Sequence, residues 1–146
     1  MAAQNVVVVD TDVYSALYAD PERAARRGLP VDSWHDSLVG MQVLISFQTR
    51  AEVLAGLRTG NWGDARLRAA LAKLDASPTI PADRDVVDAY AELTSQCKRA
   101  GHALHALHAK IHTADRWVAA SAVAKDLPLL SGDGIYRGAP GLTLLA

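Results

Sequence analysis

The apolar pattern begins with Val6-Val7-Val8-Val9, a β-branched run without alternation that stops at Asp10. Such a run reads as a strand buried on both faces, the habit of a parallel sheet. Residues 13–27 are helical in composition, rich in Ala and Arg, and are interrupted by Pro21. That proline breaks the helix or opens a second one in its first turn. Gly28-Leu29-Pro30 reads as a turn. A second apolar run, Val43-Leu44-Ile45, leads into Ser46, which can cap the helical stretch Gln48–Arg58. Beyond the loop Gly60-Asn61-Trp62-Gly63, Ala65–Leu74 places Leu67, Leu71 and Leu74 on one helical face. Ser77–Ile80 reads as a short strand closed by Pro81. Asp83–Ala100 reads as a long helix ending before Gly101, where glycine is favoured. Another helix starts after Thr113 or Ala114 and runs to about Lys125. Leu127–Leu130 and Leu142–Leu145 read as the last two strands.

Strands alternating with helices predict an α/β three-layer sandwich around a central, mainly parallel sheet. In such sheets ligands bind outside the carboxyl ends of the strands. The residues just after each strand therefore hold the functional interest.

Composition narrows the classes. A chain of 146 residues, half of them hydrophobic, fits one domain over residues 1–146 and a sizeable core. The one cysteine, Cys97, offers no intrachain disulfide and no metal cluster, which suits a reducing cytoplasm. Met1–Gln4 lacks a basic leader, and no aliphatic run approaches the roughly 20 residues of a membrane span. A secretory or membrane protein is not expected. The net charge of −1 argues against a simple basic nucleic-acid binder.

The acids change that picture. Asp10 follows the first strand, and Asp12 lies two residues on, on the same side of an extended chain. Asp133 follows Leu129-Leu130-Ser131-Gly132. Glu52 lies early in the helix after the second strand, and Asp115 opens a later helix, where the dipole favours an acid in any case. All can converge on one sheet edge. Hard oxygen donors gathered this way suit Mg²⁺ or Mn²⁺. A pair of such ions activates water and stabilises the leaving oxygen of a phosphodiester. Removing four site acids from the net charge of −1 leaves +3 on the remainder. Arg50 and Arg116, each beside a site acid, are the favoured phosphate contacts.

In four of its segments the sequence resembles the PIN-domain nucleases, and among them the VapC-type toxins of bacterial toxin–antitoxin pairs. The segments are Val6-Val7-Val8-Val9-Asp10-Thr11-Asp12-Val13, Ser46–Gly56, His112–Ala122 and Leu127–Asp133, and together they span nearly the whole chain. The resemblance implies a PIN-like fold with the catalytic acids at Asp10, Glu52, Asp115 and Asp133. It implies metal ligation by Asp10, Asp115 and Asp133, with Glu52 completing the set or orienting water. Thr11, Asp12 and Ser131 would support the ligands by hydrogen bonding. Asp12 departs from the Asn or Ser common in the family, adding a ligand or a helix cap. The family's aromatic residue after the last acid falls, slightly displaced, on Tyr136. A metal-dependent endoribonuclease that leaves 5′-phosphate and 3′-hydroxyl ends is implied. So are Mg²⁺ or Mn²⁺, a homodimer, and inhibition by a small cognate antitoxin.

Two rival classes remain. Asp10-Thr11-Asp12-Val13 also looks like the aspartyl-nucleophile motif of haloacid-dehalogenase-like phosphatases, with Asp10 phosphorylated and Asp12 as acid/base. That family wants an acid four residues after its late Gly-Asp, where this chain has Arg137. The other rival is a non-catalytic interaction module, which would keep crowded acids at a cost. His102, His105, His108 and His112 recur at three, three and four residues. On one helix they could bind a transition metal, but Gly101 favours a loop and helix-start surface. Cys97 is expected to be inert. Trp34 and Trp62 are expected to pack, and Trp117 to lie on the buried face of its helix.

Overall fold

The computed structural model describes residues 5–99 and 104–145. Its sheet has four strands, β1 (Val6–Val9), β2 (Gln42–Ser46), β3 (Thr79–Ile80) and β4 (Leu129–Leu130), in the order β3-β2-β1-β4. Every pairing is parallel, with Val9 opposite Ile45 on one side and Leu130 on the other. Parallel pairing buries both faces, which is why β1 carries Val at each position. Val7 and Val9 enter one core cluster and Val8 the other. Leu130 and Leu129 divide in the same way. The sheet is thus the middle of three layers, as the alternation predicts.

One outer layer holds α1 (Thr11–Tyr14), a π-helical turn (Ser15–Ala19), α2 (Pro21–Arg26), α3 (Val31–Ser37), α4 (Phe47–Thr59) and α5 (Asp64–Asp75). Their apolar residues Val13, Leu17, Trp34, Val53, Leu57 and Leu74 pack on Val7 and Val9. The other holds α6 (Arg84–Arg99) and α7 (Thr113–Ala124), with Val86, Leu93, Val118, Ala119 and Ala122 beside Val8 and Leu129. The small residues Ala119, Ala120, Ser121 and Ala122 are fully buried, so α7 lies close against its neighbours. Trp117 stacks on Tyr90 at 3.8 Å between centroids and meets Phe47 edge-on.

Pro21 is the first residue of α2, and Asp20 caps that helix through the Arg23 N–H. Ser46 caps α4 as expected, accepting from the Gln48 N–H. Two expectations need correction, and one unassigned stretch proves helical. Val31–Ser37, which the sequence leaves unassigned, is the helix α3. Leu142–Leu145 is no strand but a single bridge from Leu144 to Leu129, after Gly141 turns the chain at φ 73°. The run 105–112 is neither open loop nor α-helix: it makes two 3₁₀ turns, Ala106–His108 and Lys110–His112. His102 lies outside the described residues, as does the end expected for α6 at Ala100.

Candidate functional site

From β1 the chain passes to β2 and β3 on one side, then crosses back to β4 on the other. The crevice at the carboxyl ends of β1 and β4 is therefore the topological switch point of the sheet, where open α/β folds bind ligands. A pocket of about 320 Å³ lies among residues from these ends, and Asp10, Asp12, Glu52, Asp115 and Asp133 all line it.

Asp10 occupies the floor. It caps α1 as the chain leaves β1: Oδ1 accepts from the Val13 N–H at 2.9 Å, and Oδ2 accepts from the Ser131 hydroxyl. Only 5% of the residue is exposed. Burial pushes its carboxyl up from 3.8 to about 6. The two hydrogen bonds hold it back, and the negative charges of Asp12 and Asp133 add to the rise. Asp10, not Asp12, is thus the helix cap. Asp12 sits exposed in the first turn of α1, at the pocket rim.

Asp133 follows β4 and is exposed. Its N–H donates to Ser131 Oγ at 2.9 Å, and its Oδ1 accepts from the Ile135 N–H at 3.0 Å, capping the 3₁₀ turn Gly134–Tyr136. Glu52 reaches the pocket from α4 and accepts from the Thr11 hydroxyl, which lies 3.1 Å from that of buried Thr49. Asp115 stands in the first turn of α7. The Tyr136 hydroxyl donates to its Oδ1 at 3.3 Å, and His112 Nδ1 lies 3.0 Å from its Oδ2. Burial, with Asp115 and Asp10 nearby, drives the Tyr136 phenol well above its ordinary range, so it stays protonated and donates.

Tyr136 and His112 hold Asp115, and Thr49 holds the Thr11 hydroxyl that donates to Glu52, without having been singled out for that task. Their signals were short spacings, His112 three residues before Asp115 and Tyr136 three after Asp133. Thr49 had no signal, because its partner is reached only through the fold.

The structure does not bring the two favoured arginines to the acids. Arg50 donates to the Leu74 carbonyl at 2.9 Å and pairs with Asp75 at 3.1 Å. Arg116 is buried, donates to the carbonyls of Leu107 and Ala109 and to the Tyr90 hydroxyl, and lies 4.9 Å over the Tyr90 ring. Among the described residues, the histidines form no metal-holding cluster. His105 accepts from the Leu107 N–H at Nδ1 and bonds the Arg137 carbonyl through Nε2, as a cap for its turn. Cys97 is buried, and its thiol is pushed up by that burial.

The donors fit a hard divalent cation in kind: all are carboxylate oxygens, and the deepest, Asp10, is raised first by burial and then by the charges of Asp12 and Asp133, which a cation would offset. Among the described residues, no three His, Cys, Asp or Glu side chains close on one point as a complete cage. Mg²⁺ does not require one, since it is bound through one or two carboxylates and keeps several waters.

A family model described as the PIN domain matches residues 7–141. The fold is similar to chains in several solved complexes. One is VapBC2 of Rickettsia felis bound to a promoter DNA fragment, with a TM-score of 0.68 and 17% identity, covering 95% of this chain and 96% of that one. Another is FitAcB of Neisseria gonorrhoeae, with a TM-score of 0.67 and 24% identity, covering 96% of both chains. VapBC-5 of Mycobacterium tuberculosis, a toxin–antitoxin family member, gives 0.62 and 22%, covering 97% and 98%. At these identities the likeness concerns the fold. No curated protein matches the sequence.

Proposed function

The chain belongs to the PIN domain family, and from that premise we propose that it is a metal-dependent endoribonuclease, the toxin of a toxin–antitoxin pair. The observation that carries the reading is the meeting of Asp10, Glu52, Asp115 and Asp133, from four separate segments, around one pocket at the switch point of the sheet. Acids brought together this way repel one another, and a bound cation relieves that cost.

Asp10, Asp115 and Asp133 would hold Mg²⁺ or Mn²⁺, which supplies a water of lowered pKa and charge stabilisation at the phosphate. Glu52, which lines the same pocket, would accept a proton from, or orient, the attacking water. Ser131 keeps Asp10 and Asp133 in register by donating to one and accepting from the backbone of the other. Tyr136 donates to Asp115 and Thr11 to Glu52, orienting each carboxylate. Such partners fix ligand orientation and typically matter about 10–100-fold. The phosphatase alternative leaves Glu52 and Asp115 without a task.

The toxin role rests on the structural neighbours, which are VapBC and Fit complexes. A small antitoxin is therefore the expected partner, and a homodimer the expected assembly. No described helix is long and apolar enough to cross a membrane. The cytoplasm, where RNA is met, is the expected compartment.

The test is to incubate the purified chain with total bacterial RNA and Mn²⁺ or Mg²⁺, beside Asp10→Ala, and to map new 5′ ends. Discrete metal-dependent cuts absent from the variant are expected. A folded, metal-binding chain that cuts no RNA but turns over a phosphomonoester would replace the proposal with the phosphatase.

A further inference from the structure

A second, larger cavity of about 480 Å³ opens from the acid pocket, and Thr11, Asp12 and Glu52 line both. Its inner end is acidic. Its outer end is formed by α2, the start of α5 and the loop between α4 and α5, which bring Arg23, Arg27, Arg66 and Trp62 to its wall. The volume lies in the range of pockets that take small organic ligands.

The Trp62 indole is seated, not loose. A Cβ on Gly60 would stand 2.4 Å from the indole Nε1, so only glycine lets the ring lie against that turn of the chain. The Arg66 guanidinium sits 4.5 Å from the ring centroid, and Asp20 anchors it at 3.2 Å. Arg23 and Arg27 differ from it. Both are exposed, and among the described residues neither forms an ion pair. The groove therefore runs from acids, past apolar residues such as Leu29, Val53 and Leu57 and a fixed aromatic residue, to two uncommitted guanidinium groups.

We infer that this groove is a subsite for single-stranded RNA next to the scissile phosphate, with Trp62 contacting a base and Arg23 and Arg27 taking neighbouring phosphates. The inference rests on the nuclease reading above and names residues that would set its substrate preference. Single strands are held by this combination of an aromatic surface and a basic track, the aromatic tolerating any base and the charges following the backbone. Arg50 and Arg116, committed to internal carbonyls, leave that track to Arg23 and Arg27. A protein segment is the other conceivable occupant. It would seek the acidic end with a cation, and nothing in such a segment requires the uncommitted arginines at the outer end.

The test uses the full chain carrying Asp10→Asn, so that RNA is bound without being cut, and a short labelled oligouridylate and oligoadenylate as probes. Anisotropy is read across a salt series. Trp62→Ala should weaken binding about tenfold, the size of one lost base contact, while Trp62→Phe keeps most of it. Arg23→Ala with Arg27→Ala should lower the slope of log affinity against log salt by about 1.4, since each single-strand phosphate contact contributes roughly 0.7. Both arginines are exposed, so this variant remains informative if Trp62→Ala fails to fold. Unchanged affinity and slope in folded variants would overturn the subsite. So would a loss confined to a co-purifying protein partner, which would give the groove to a protein instead. In the cleavage-competent chain, loss of cutting in Asp10→Ala with unaltered cut sites in the Trp62 and arginine variants would remove the subsite and leave the nuclease standing. Absence of any cutting by the unaltered chain would remove the nuclease.

Discussion

Ser131, just after β4, donates its hydroxyl to Oδ2 of Asp10, just after β1, and accepts the N–H of Asp133 on the same oxygen. One hydroxyl thus ties two strand ends and two site acids together. Removing it frees Asp133 to swing and removes a bond that favours ionised Asp10. Ser131→Ala should therefore fold normally yet bind Mn²⁺ about 10–100-fold more weakly, the usual effect of losing a group that orients a ligand. Titration calorimetry with Mn²⁺ checks this. Unchanged affinity would show that the hydroxyl serves the fold alone.

Asp10 gives a pH test. Its folded pKa, about 6, lies above the ordinary 3.8. Between these values the folded state holds a proton that the unfolded state has released, so stability falls as pH rises through that window. Below 3.8 the penalty is absent; above about 6 it is complete, at a cost of about 3 kcal/mol. Asp10→Asn removes the charge and should raise Tm at pH 7.5 in EDTA, but hardly at pH 4. Thermal melts at the two pH values decide it, and an equal offset at both would mean that ionisation of Asp10 is not the cause.

The acids were legible because each stands where a local pattern changes: Asp10 and Asp133 end apolar strands, and Glu52 and Asp115 lie in early helical turns. The arginines were not, because sequence proximity to an acid says nothing about where a long side chain points. Arg50 reaches the carbonyl of Leu74 and Arg116 that of Leu107, partners fixed only by tertiary packing. Helix α3 was hidden by its makeup. It is short, begins after Pro30, and is held by Trp34 and Leu38 on the core rather than by intrinsic propensity. The Leu142–Leu145 strand failed for the converse reason. Its apolar residues lie at the sheet edge, yet only Leu144 finds a bridge partner.

Gly132 carries a packing constraint on the site. A Cβ there would stand 2.7 Å from Cζ2 of buried Trp34. Gly132→Ala must displace either the indole or the segment holding Ser131 and Asp133. Overpacking of this kind costs about 1–3 kcal/mol, and here a loss of activity should accompany it. Trp34→Phe removes the offending part of the ring, so adding it to Gly132→Ala should recover part of both losses. Chemical denaturation and RNA cleavage of the two single variants and the double variant form the cycle. Strict additivity would mean that the two residues do not press on each other.

Arg116 separates structure from substrate binding. Its guanidinium bonds two carbonyls of the 105–112 run and the Tyr90 hydroxyl, while its Nε is buried without a partner. It therefore anchors the 3₁₀ turns leading to His112 and Asp115. Arg116→Ala leaves those carbonyls without their donor, at a cost of about 3 kcal/mol. For a chain of this length that lowers Tm by roughly 10 °C. Arg116→Lys should lose most of the same stability, since one ammonium cannot replace the planar fork. Neither change should alter the salt dependence of RNA binding, because no phosphate contact is removed. The comparison with Arg23→Ala and Arg27→Ala is direct: those should lower the salt slope at nearly constant Tm. If Arg116→Ala instead lowers the slope and leaves Tm intact, its guanidinium turns outward to phosphate in solution.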